Sequence, residues 1–109
     1  MLIDFNAKDE KIFEGMNGGK GKVAAKMFMN SSGKVIVSRI EPGASIGLHT
    51  QANGNDINFV VSGEGKAFCD GNEEILTAGV CHYCPKGSSH EIINTGREDL
   101  LLYTVVQEL

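Results

Sequence analysis

The sequence predicts an all-β fold, an antiparallel barrel or jelly roll, on three observations. Short apolar runs recur along the chain, each separated from the next by a cluster of turn-forming residues. Glycine is frequent, at 14 of 109 residues, while proline numbers only two, which is the punctuation of hairpins. No stretch of about a dozen residues keeps a helical period, and no internal repeat or low-complexity segment interrupts the pattern. A chain of 109 residues is expected to form one domain, 1–109, with a working core that needs no disulfide staples.

The elements follow in order. Residues 1–21 form an N-terminal arm or edge strand: within FNAKDEKIFEGMNGGKG (5–21), Ile12 and Phe13 suit an edge strand and GMNGGKG a flexible turn. The glycine run is weak evidence for phosphate binding, because no apolar strand leads into it and no helix follows. Strands are expected at KVAAKMFM (22–29) and KVIVSRIE (34–41), joined through Asn30-Ser31-Ser32-Gly33. The stretch GASIGLHTQANGNDINFVVSGEG (43–65) reads as two strands around a loop, the second over 56–63. Further strands are expected at KAFCD (66–70), VCHYCP (80–85), HEIIN (90–94) and LLLYTVVQ (100–107). DGNEE, KGSS and TGRED are the separators, and Asp70-Gly71 is a hairpin signal. The apolar run LLLYTVV is wholly buried if central, and offers an interface if it lies at an edge.

Composition removes several function classes. A net charge of -4 and a pI near 5.3, with no basic stripe, leave nothing to neutralise phosphates, so no nucleic-acid partner is expected. No apolar segment approaches the roughly 20 residues of a membrane span, and the acidic start MLIDFNAKDEK lacks a basic region followed by an apolar run. The expected setting is cytoplasmic, with no membrane partner. Cys69, Cys81 and Cys84 are an odd number and fit reduced thiols that act as small apolar filling inside the barrel.

Polar residues within strands carry the functional information. His49 and Gln51 stand one residue apart and share a strand face, Asp56 opens the strand after ANGN, and His90 opens the strand after PKGSS. The interior of a small barrel is normally apolar, and each unpartnered polar group there costs roughly 1–3 kcal/mol. Two histidines, a carboxylate and an amide converging inside one barrel would partner best through a metal ion. His49, Asp56 and His90 have the composition of a two-His-one-carboxylate site, suited to divalent ions with open positions, and Gln51 can add a neutral fourth oxygen.

At these residues the chain resembles a small single-domain cupin, and both family motifs lie on it residue by residue. In motif 1, over 43–63, Gly43 is followed after five residues by His49, then Gln51 in the place of the second histidine, Asp56 in the glutamate place and Gly63. In motif 2, over 79–94, Gly79, Pro85, Gly87, His90 and Asn94 meet the pattern without departure. The resemblance implies a cupin-type double-stranded β-helix of six to eight strands, commonly a homodimer, whose wide end holds a divalent metal on the motif residues. Here those would be His49, Gln51, Asp56 and His90, with Fe, Mn, Ni, Zn or Co all suited to such donors. The changes to Gln51 and Asp56 should weaken the site without abolishing it, since glutamine is a ligand in some cupin-fold enzymes and the charge at position 56 is kept.

Other polar and aromatic positions have plainer readings. His82 shares a strand face with Cys84, but the spacing of a four-ligand zinc site is missing, so it is expected to be structural. Tyr83 and Tyr103 suit either the pocket mouth or packing with one wet end, and Glu64 in SGEG is solvent-facing. The expected function is metal-dependent action on a sugar-like or oxygen-rich metabolite, of isomerase, lyase, decarboxylase or dioxygenase type, with no clear candidate for a catalytic base. The alternative is a non-catalytic module that binds or senses a small ligand, and a purely structural role ranks last.

Overall fold

The computed structural model describes all residues, Met1–Leu109. Ten strands alternate in chain order: β1 (Lys11–Glu14), β2 (Lys22–Asn30), β3 (Gly33–Ile40), β4 (Ser45–Thr50), β5 (Gly54–Ser62), β6 (Gly65–Cys69), β7 (Asn72–Leu76), β8 (Cys81–Cys84), β9 (Ser89–Asn94) and β10 (Leu100–Glu108). They form two antiparallel sheets, of order β1-β2-β3-β10-β5-β8 and β4-β9-β6-β7. The all-β jelly roll is thus as the sequence predicts, with ten strands where the family resemblance implied six to eight. The N-terminal arm accounts for one of them, β1, which pairs with the long β2 and extends one edge of the larger sheet.

Turn chemistry sets the connections. Asp70 and Gly71 both take positive φ, 49° and 82°, which closes β6 onto β7 in a two-residue turn that follows the right-handed strand twist. The strand β7 itself was hidden in the sequence, since its opening NEE reads as part of the polar separator DGNEE. The run LLLYTVV resolves to a central strand: β10 lies between β3 and β5 and pairs with both along nearly its whole length. That double pairing explains why Leu100 and Leu102 are wholly buried.

Register arranges the interior as a gradient. Leu102 faces Val60 across the β10–β5 pair, and the next inward pair is Thr104 with Asn58. One step further along the inward face of β5 stands Asp56. On β9 the same direction runs from Asn94 through Ile92 to His90. One end therefore holds the apolar core, Val23, Ile40, Ala44, Val60, Ala67, Leu76, Ile92, Leu100 and Leu102, and the other end is lined by polar side chains. Asn94 closes the apolar end by donating to the carbonyls of Ile40 (2.7 Å) and Glu98 (2.8 Å) and accepting from the Gly96 amide (2.8 Å).

The N-terminal arm departs from expectation. GMNGGKG does not hang as a free turn: Met16–Gly18 form a 3₁₀ turn against β4, and the Lys20 amide donates to the Ser45 hydroxyl at 2.9 Å. Gly19 and Gly47 meet back to back, and a Cβ on Gly19 would stand 2.2 Å from the Ser45 carbonyl oxygen. Only glycine permits that approach of two backbones. The expected edge strand at Ile12 and Phe13 is present as β1.

Candidate metal centre

His49 reaches the interior through a β-bulge. Along β4, Ile46 packs on the core, and strict alternation would send Leu48 inward and His49 out. The register against β9 instead shifts between Ile46 and His49, so that Leu48 is exposed at 65% and His49 lies directly opposite His90. A bulge of this kind re-aims a side chain. Its backbone also orients the ring, for His49 Nδ1 lies 2.7 Å from the Gly47 carbonyl oxygen. A carbonyl only accepts, so Nδ1 carries the proton and Nε2 of the neutral ring presents a lone pair.

The four residues singled out in the sequence converge. Gln51 Nε2 stands 3.0 Å from His49 Nε2, 3.0 Å from His90 Nε2 and 2.9 Å from Asp56 Oδ2. His90 Nε2 is 3.2 Å from His49 Nε2 and 3.1 Å from Asp56 Oδ2. His90 and Asp56 are buried and His49 partly so, and the ligand atoms of His49, Asp56 and His90 all lie within 4.8 Å of one another. Ligands about 2.1 Å from an ion stand about 3.0 Å apart at right angles and about 3.4 Å apart at tetrahedral angles. The separations of His90 Nε2 from His49 Nε2 and from Asp56 Oδ2, 3.2 and 3.1 Å, fall in that range. One buried side-chain oxygen, Asp56 Oδ1, has no hydrogen-bond partner. The donor set therefore fits a divalent cation, and the amide of Gln51, turned to present Oε1, would complete a fourth corner.

Behind His90 a second layer was missed by sequence reasoning. His82 is 1% exposed, and its Nε2 lies 2.8 Å from His90 Nδ1 while its Nδ1 lies 2.6 Å from Glu74 Oε1. The structure thus gives His82 neither a zinc role with Cys84 nor plain core filling; it joins β7 to the candidate metal ligand. Strand parity pairs His82 with Asn58, yet nothing in the sequence links it to Glu74, which sits on the strand that was not foreseen. Asn58 in turn accepts from the Thr104 hydroxyl at 2.7 Å, which settles that buried pair without the metal residues.

The remaining candidates fall away from the centre. Cys69 and Cys84 are buried as expected, and burial pushes both thiols up, Cys84 to about 12, so they face the interior protonated and are poor ligands. Cys81 is exposed and fills nothing. Tyr83 and Tyr103 lie neither at the site nor in the core: they project from the outer face of the larger sheet, Tyr103 opposite Phe59 and Tyr83 opposite Ile57. Glu64 is exposed, as its turn predicts.

An antiparallel double sheet with buried imidazoles and a carboxylate gathered at one end defines a β-barrel protein in which His49, Asp56 and His90 form a group that could hold a metal ion. Residues 36–106 match the family model of the cupin domain, and the chain belongs to the cupin family. It is 32% identical over 97 residues to an oxalate-binding protein of Thermotoga maritima, across 84% of this chain and 80% of that one. A solved structure described as a predicted oxalate decarboxylase, also from Thermotoga maritima, superposes with a TM-score of 0.93 at 27% identity over 100% of both chains. An RmlC-like cupin from Shewanella frigidimarina reaches 0.82 at 17% identity over 99% of this chain and 90% of that one, a likeness of fold alone.

Proposed function

We propose that this protein, acting as one domain over 1–109, binds a divalent transition metal (Fe, Mn, Ni, Zn or Co) through His49, Asp56, His90 and Gln51, and uses it to capture a small chelating anion of the oxalate class. The observation that carries the reading is an excess of acceptors. His49 Nε2, His90 Nε2 and Asp56 Oδ2 crowd one Gln51 amino group that has two protons to give, and Asp56 Oδ1 is left over. A cation resolves that excess, and the oxalate-binding relative supports the class of ligand.

Charge favours the same ligand. The buried polar set, Ser38, Ser45, Asp56, Asn58, His82, His90, Asn94 and Thr104, contains no lysine or arginine. A dianion entering this interior would find its positive charge on the metal, and two vicinal carboxylate oxygens suit adjacent open positions. Binding is favoured over turnover. Decarboxylation needs a proton donor beside the nascent carbanion, whereas the one buried carboxylate is a candidate ligand and His82 is tied to Glu74.

Metal content by elemental mass spectrometry, followed by titration calorimetry with oxalate, malonate and acetate on metal-loaded and metal-free protein, tests the proposal. About one equivalent of metal, with oxalate binding only to the loaded form, is the expected result. Metal binding with no oxalate affinity would overturn the ligand, and release of carbon dioxide and formate would restore the enzyme reading. We also propose a homodimer, supported by the exposed outer face of the larger sheet, where Phe59, Val61, Tyr83 and Tyr103 are each close to half exposed.

A further inference from the structure

We infer that Glu74 and His82 are positioning residues that act through His90, fixing its tautomer so that the Nε2 lone pair faces the metal position. The inference rests on the proposed metal site. A carboxylate oxygen only accepts, so with Glu74 Oε1 at 2.6 Å the proton of neutral His82 sits on Nδ1. His82 Nε2 is then an acceptor, and at 2.8 Å it takes the proton of His90 Nδ1. His90 Nε2 is left bare, 3.2 Å from His49 Nε2 and 3.1 Å from Asp56 Oδ2. The protons of two buried rings are thus set in series by one carboxylate that reaches the surface, for the Glu74 side chain is 41% exposed while those of His82 and His90 are 0% and 1% exposed. Partners of this kind orient a ligand ring and raise its basicity, and their loss lowers metal affinity about 10–100-fold.

Burial makes the chain decisive. Neither ring is open to bulk solvent, and the two rings are stacked, with centroids 5.1 Å apart and planes 27° apart, so neither can turn without displacing the other. Reversal at Glu74 is therefore transmitted. A donor placed at position 74 would bond His82 Nδ1 as an acceptor, put the His82 proton on Nε2, turn His90 Nδ1 into an acceptor and leave His90 Nε2 protonated toward the metal.

The test compares wild type with Glu74→Gln, Glu74→Lys and the charge control Glu73→Lys, whose side chain instead pairs with Lys66. Tautomers are read in chelator-treated full-length protein by long-range proton–nitrogen correlation of the imidazoles at neutral pH, and manganese and zinc affinities by titration. Wild type and Glu74→Gln, whose amide oxygen still accepts, should show His90 and His82 protonated at Nδ1, with affinities within about tenfold of each other. Glu74→Lys should move both protons to Nε2 and weaken metal binding about 10–100-fold, beyond any loss in Glu73→Lys, while the metal-free melting temperature holds. The inference is overturned if wild-type His90 is protonated at Nε2, or if Glu74→Lys leaves the tautomers unchanged, or if it loses no more affinity than Glu73→Lys. Because the tautomers are read without metal, a wild type that binds no metal would defeat the metal-site proposal separately.

Discussion

Gly47→Ala tests whether the β4 bulge is what aims His49. A Cβ at position 47 would stand 2.2 Å from the Asn17 carbonyl oxygen, 2.6 Å from the Gly19 nitrogen and 2.8 Å from the Gly18 carbonyl carbon, all of them backbone. Real Cβ contacts stay above 3.0 Å, so strand and turn must part by about 0.8 Å or more. Overpacking of this kind costs about 1–3 kcal/mol, or about 4–12 °C in melting temperature for a domain near 100 residues. The same shift strains the 2.7 Å bond between His49 Nδ1 and the Gly47 carbonyl and exceeds the tolerance of about 0.2 Å on metal–ligand distances. Metal affinity should therefore fall at least about tenfold. Scanning calorimetry of the metal-free protein and a metal titration read the two effects, with Leu48→Ala, whose side chain points to solvent, as the unaffected control. An unchanged melting temperature would refute the packing argument. A lowered one with full metal affinity would refute the claim that the bulge positions His49.

Four further outcomes are expected. Asn94→Ala should lose on the order of 3 kcal/mol of stability, measured by urea unfolding, because it strands the carbonyls of Ile40 and Glu98 and the amide of Gly96. A disulfide exchange reagent at pH about 8 should label one thiol, Cys81, in the native protein and all three in denaturant, since burial keeps Cys69 and Cys84 as thiols. The Arg39 guanidinium bonds Glu10 and Asp99 at 2.6 and 2.7 Å, and its hydrogen bond to Glu10 holds that carboxyl below its ordinary 4.5. The stability from this pair is thus complete above that value and lost as the pH falls through the depressed one, and Glu10→Gln should flatten this part of the thermal profile. Phe59→Asp, on the outer face opposite Tyr103, should convert the proposed dimer to a monomer in light scattering while leaving the metal-free fold intact.

The sequence by itself determined the fold class, because short apolar runs and hairpin turns are local signals, and it named the four side chains that converge, because the spacing of His49, Gln51, Asp56 and His90 between paired glycines is linear information. It also foresaw the β1 edge strand and the buried state of Cys69 and Cys84. What it left open depended on contacts between residues far apart in the chain. β10 is central because β3 and β5 both pair with it, and no property of LLLYTVV chooses that over an edge. β7 exists because β6 supplies its hydrogen bonds, although two glutamates open it. His49 faces inward only through a bulge backed by Gly19 from the N-terminal arm, and periodicity alone would have turned it outward. His82 acquires its place from a carboxylate across the β7–β8 edge. Strand identity is written in neighbouring residues, whereas register and side-chain partners are fixed by which strands meet, and the proton positions behind His90 belong to that second kind of information.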